Sequence, residues 1–127
     1  MNKLILLSII FTLTFCSSLN AKSTFEGQKI YLKECRTCHL GSGIFLNTHT
    51  YKEWEKVLDD DGVILSNIHL SKSEKNVRSK DGILKSSHSY FKSVLYNKQY
   101  KELKNFIISS AQKNEKSFEI NKKIASN

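Results

Sequence analysis

An all-α fold is predicted for this chain on three observations. Apolar residues recur at helical spacing around Trp54 and again from Tyr96 to Ala111. Helix-starting signals occur three times: Ser23 with Glu26, Thr50 with Glu53, and Ser71 with Glu74 each match the capping box, in which the first side chain and the glutamate satisfy each other's backbone N–H groups. No strand-like alternation, repeat or low-complexity tract accompanies them, and a chain without proline suits helices joined by Gly, Ser and Asn loops.

The first element is a leader. Lys3 precedes "LILLSIIFTLTF", Leu4 to Phe15, and small residues ending in Ala21 follow. A basic start, a short apolar run and a small-residue end make a secretory signal peptide over residues 1–21, cleaved after Ala21. The run is shorter than the roughly 20 residues that cross a bilayer, and no later stretch is apolar enough, so the mature chain is expected to have no membrane span. Lipidation at Cys16 is the alternative, but Phe15 stands where that signal wants a small residue. Export points to the periplasm. It leaves residues 22–127, the length of one domain. Without Lys3 the net charge is about +7, which favours acidic partners. The basic residues are spread from Lys22 to Lys123 rather than clustered, which argues against nucleic acid.

Ser23 and Glu26 predict the start of a helix that carries Gly27 and runs into "CRTCH", Cys35 to His39. Thr50 and Glu53 predict a second helix over "YKEWEKVL", with Tyr51, Trp54 and Leu58 on one face. "DDDG" stops it, with Gly62 in the C-terminal cap region. Ser71 to Glu74 predicts a short polar helix. In "YNKQYKELKNFIISSAQK", Tyr96, Tyr100, Leu103, Phe106, Ile107 and Ala111 fall on one face and Lys98, Lys101, Lys104 and Lys113 elsewhere, predicting a last helix.

"CRTCH" is the stretch that carries chemistry. Zinc sites want four ligands, commonly two Cys pairs or a Cys pair with a His pair. With Cys16 removed, Cys35 and Cys38 are the only thiols, and no second pair exists. A thioredoxin-like redox pair enters a helix within a βαβ unit, whereas this one lies behind a helix-forming stretch. A plain disulfide suits an exported chain but leaves His39 unexplained. Cys-x-x-Cys-His is the signature of covalent haem attachment. Residues i, i+3 and i+4 share one helical face, so Cys35 and Cys38 can form thioethers with the vinyl groups while His39 reaches the iron.

The stretch "FEGQKIYLKECRTCHLGSG", Phe25 to Gly43, resembles the small class I-like monohaem cytochromes c, which carry a helix with an early Gly, an aromatic before the motif and Gly after it. The resemblance implies a cytochrome c-like helical domain around one covalently bound haem c, anchored by Cys35 and Cys38, with His39 as proximal ligand. It gives Gly27 a role: missing bulk lets the C-terminal helix cross closely. The plainer reading is a tolerated weak helix residue costing about 1 kcal/mol against Ala. The last helix looks like the family's, although the same stripe suits any helical core.

The chain departs from that family at the second axial ligand. Familiar members use a methionine sulfur, and the single methionine here, Met1, leaves with the leader. The family's proline-containing loop is also absent. His49, His69 and His88 are the candidates. His49 is ten residues past His39, a tight span for reaching the opposite haem face. His88 sits in "SSHSYF", a polar loop just before a helix. His69 lies in "VILSNIHLS", whose apolar neighbours suit a ligating imidazole. His69 ranks first and His88 second, ahead of His49, a Lys or an empty site.

A histidine in the sixth position closes the iron to substrate, so the expected function is one-electron transfer between redox partner proteins, docked through an acidic patch on the partner. No acid/base pair, nucleophile–base arrangement or phosphate loop suggests an enzyme. Asp59 to Asp61 read as a solvated helix end, since calcium loops alternate their acids with other residues. The alternative is a haem-based gas-binding or sensor protein with an open distal side.

Overall fold

The structure is a computed structural model and describes residues 21–74 and 82–126. The expected leader, apart from Ala21, lies outside the described residues. Among the described residues the chain is helical with no strand, in agreement with an all-α fold, and no helix is long and apolar enough to cross a membrane.

Helix α1, residues 21–30, continues through a single π turn at Tyr31–Cys35 into α2, Arg36–His39. The π turn closes by the Arg36 N–H donating to the Tyr31 carbonyl. At Leu40 the chain turns sharply, with φ 61° and ψ −163°, and α3, Ser42–Phe45, runs into a 3₁₀ turn at Leu46–Thr48. Helix α4, Tyr51–Val57, starts at the Thr50 cap as expected: Thr50 N–H donates to Glu53 Oε2 at 2.8 Å, and Glu53 N–H donates to Thr50 Oγ1 at 3.3 Å. Asp60, Asp61 and Gly62 take positive φ in the 3₁₀ turn that follows, conformations that Gly and Asp tolerate best. Helices α5, Val63–Glu74, and α6, Gly82–Phe91, pack on each other, and α7, Val94–Ala125, packs against α4.

Two capping boxes do not start helices. Ser23 lies inside α1, its hydroxyl accepting from Asn105 Nδ2 at 2.8 Å, while Glu26 pairs with Lys29 at 3.1 Å. Ser71 lies within α5, where its hydroxyl donates back to the Ile68 carbonyl. In both cases the serine finds a partner that leaves helical backbone intact, so the local signal loses.

Helix α7 is the spine of the core. The six residues expected on its apolar face, Tyr96, Tyr100, Leu103, Phe106, Ile107 and Ala111, are its buried ones. They meet Ile30 and Tyr31 of the first segment, Leu46, Trp54 and Leu58 of the middle, and Tyr90 and Phe91 at the end of α6. Three of the buried polar tips are satisfied by backbone carbonyls: Tyr96 donates to Gly62 at 2.7 Å, Tyr100 to Leu58, and Trp54 Nε1–H to Leu46 at 3.1 Å. Gly27 is buried where α1 crosses α7. A Cβ there would stand 2.0 Å from the Glu102 carbonyl oxygen, so the close-crossing reading of this glycine holds.

Candidate functional site

The Cys35–His39 segment opens onto a cavity of about 400 Å³ with mostly apolar walls. Cys35, Cys38 and His39 line one side. Phe45, Trp54 and Val57 come from α3 and α4, Leu65, Ile68 and His69 from α5, and Leu84, Ser87 and Phe91 from α6. The volume lies within the range of about 300–1,000 Å³ typical of small-molecule and cofactor pockets.

The donors follow from the helices that carry them. One turn of α2 places the motif on the cavity, and its end is tied down by Tyr31, whose phenol donates to the Leu40 carbonyl at 3.2 Å. Opposite stands His69 on α5. His39 Nε2 and His69 Nε2 are 3.4 Å apart. Their ring centroids are 5.7 Å apart. The difference between those separations is what two centroid-to-nitrogen radii supply, so the imidazoles meet tip to tip.

The tautomer of His69 is set by its neighbour. Its Nδ1 lies 2.8 Å from the Leu65 carbonyl oxygen, an acceptor only, so Nδ1 carries the proton and Nε2 of the neutral ring keeps its lone pair toward His39. A hydrogen bond of this kind orients metal-ligating histidines and raises their basicity. Each ring also rests on a phenylalanine: His69 on Phe91 at 4.0 Å and His39 on Phe45 at 4.1 Å between centroids.

The two cysteines differ. Burial, with smaller contributions from Glu34 and Cys38, pushes the Cys35 thiol up to about 12, so it is a neutral thiol at ordinary pH. Cys38 is exposed at the cavity edge, and both are free thiols in the structure.

The residues fit a haem. Two nitrogen donors face each other across the cavity, two sulfurs flank one of them, and apolar side chains form the walls. Among the described residues no three His, Cys, Asp or Glu side chains gather as a small metal-ion site. At the roughly 2.0 Å of metal–imidazole bonds, a metal shared by both nitrogens needs them about 4 Å apart, a small opening from what is seen.

No family model, no curated protein and no solved structure matches the chain.

The other two histidines are placed differently. His49 reaches the rim of the same cavity, but it is exposed, its Nδ1 engages the Thr48 hydroxyl at 2.8 Å and its ring leans on Trp54. His88 was expected in a polar loop and instead lies within α6, where Leu84, Ser87 and Phe91 form the cavity wall and His88 does not. Sequence reading counted Leu65 among the apolar neighbours of His69 but missed its carbonyl contact, and it missed Phe45 and Phe91. Only Leu65 left a signal, its i−4 position relative to His69, usable once that segment is read as a helix.

Proposed function

We propose that the chain is an exported monohaem c-type cytochrome that carries single electrons between redox partner proteins, with haem c anchored by Cys35 and Cys38 and ligated by His39 and His69. The observation that supports this most is the tip-to-tip approach of His39 and His69 at 3.4 Å inside an apolar cavity flanked by both cysteines. A haem bound there supplies a one-electron iron couple, and two nitrogen ligands favour a lower potential than a histidine–methionine pair.

The chain's own residues do the rest. Phe45, Trp54, Leu65, Ile68 and Phe91 keep water off the donors, and the Leu65 carbonyl holds His69 in its ligating tautomer. With His69 opposite His39, no position is left for a substrate, which suits a carrier rather than an enzyme. A gas-binding protein needs that position open, so the facing imidazole counts against it. Exposed Cys38 puts one edge of the cavity at the surface, and the excess of basic residues favours an acidic docking patch on the partner.

The test is the full chain expressed with an export and haem-attachment system. The expected product is coloured, gives a c-type pyridine haemochrome spectrum and gains the mass of one haem. Colourless protein of unmodified mass overturns the reading, as does attachment that survives Cys35→Ser combined with Cys38→Ser.

A further inference from the structure

We infer, resting on the His39 and His69 ligation proposed above, that this chain holds its two axial imidazoles with nearly perpendicular planes, and that Phe91 and Phe45 are the positioning residues that set the angle. The planes of His39 and His69 are 79° apart. Because the rings meet tip to tip, that angle is a twist about their common axis rather than a tilt of one ring off it.

An imidazole bonded through Nε2 alone turns easily about that bond, so a fixed twist needs a restraint on each ring. For His69 there are two. Phe91 lies nearly flat against it, 4.0 Å away with 18° between planes, and the Leu65 carbonyl holds Nδ1 at 2.8 Å. Turning the ring would push it into Phe91 and break that hydrogen bond. Phe91 is itself buried and packed against Tyr90 and Tyr96. On the other side Phe45 lies 4.1 Å from His39, and its own ring is held by Trp54 at 5.2 Å and Tyr31 at 6.1 Å. Both phenylalanines are therefore held by the aromatic core, which does not rearrange cheaply.

The twist has an electronic consequence. Parallel imidazoles donate into the same iron d orbital and split it from its partner; perpendicular ones donate into two different orbitals and leave them close in energy. In ferric low-spin iron the first arrangement gives a rhombic three-line electron paramagnetic resonance spectrum. The second gives a single broad feature at very low field.

The experiment uses the haem-loaded full chain in the ferric state. Its optical spectrum is read first: a high-spin spectrum removes the ligation and this inference with it. Given a low-spin spectrum, the expected resonance is the low-field feature, and a rhombic spectrum overturns the perpendicular arrangement while leaving the ligation standing. Phe91→Leu should shift the signal toward the rhombic form with the low-spin optical spectrum kept. Phe45→Leu frees the other ring and serves where Phe91→Leu does not accumulate. A low-field signal unmoved in either folded variant overturns the assignment of the angle to these phenylalanines.

Discussion

Gly27 of α1 lies directly against the backbone of Glu102 in α7. A methyl group on Gly27 would stand 2.0 Å from the Glu102 carbonyl oxygen and 2.6 Å from Phe106 Cβ. Neither neighbour is the tip of a flexible side chain, so Gly27→Ala must separate two helices. Overpacking costs about 1–3 kcal/mol, and in a domain of this size each kcal/mol lowers Tm by roughly 4–8 °C. Alanine regains about 1 kcal/mol of helix propensity over glycine, so the net loss is up to about 2 kcal/mol and the thermal midpoint of Gly27→Ala is expected to fall; a raised midpoint means that the crossing is looser than described.

Leu40 follows the last motif residue in a backbone region, φ 61° and ψ −163°, that is essentially reserved for glycine and costs of order 1–3 kcal/mol. Its side chain is 64 % exposed and contributes little burial. Leu40→Gly is therefore expected to raise stability by about 1 kcal/mol, even after the roughly 0.5–1 kcal/mol entropic penalty of glycine. Urea unfolding reads this as a higher midpoint at unchanged slope.

Among the three histidines other than His39, only His69 faces it. In the haem-loaded protein, His69→Ala is expected to lose the low-spin optical spectrum, whereas His49→Ala and His88→Ala keep it. A low-spin spectrum in His69→Ala would move the second ligand elsewhere.

The buried tyrosines predict an alkaline limit. Burial, then Cys35, pushes the Tyr31 phenol up to about 12; burial, then Asp61 and Asp59, does the same for Tyr100. Tyr90 and Tyr96 are raised further, chiefly by burial. The unfolded value is about 10. A folded pKa above the unfolded one means that stability is fully present below about pH 10 and is lost as pH rises toward about 12. Tyrosinate absorbance and loss of helical circular dichroism should rise together in that window. Buried tyrosines that titrate near pH 10 with helicity intact would contradict the packing.

What was legible in the sequence depended on how far away the deciding partner lay. The apolar face of α7 was readable in full because helical phase and side-chain bulk settle it locally. The Thr50 cap was readable for the same reason. Ser23 was misread because its partner, Asn105, lies 82 residues away along the chain. Leu65, Ile68 and His69 were readable as neighbours in "VILSNIHLS", but Val63 and Ile64, apolar residues that the helix leaves exposed, obscured which face of α5 turns to the cavity. The facing of His39 and His69 depends on α5 packing beside α6, a tertiary arrangement that no local pattern encodes.

The π turn at Tyr31–Cys35 gives the chain a spare link. One residue more than an α-helical turn sets everything after it back by about 100°, the phase that residue 34 would hold in an unbroken helix. Shortening the Leu32–Glu34 loop of that turn by one residue should thus leave Cys35, Cys38 and His39 aimed where they are, whereas the same deletion inside α7 would swing its buried face into water.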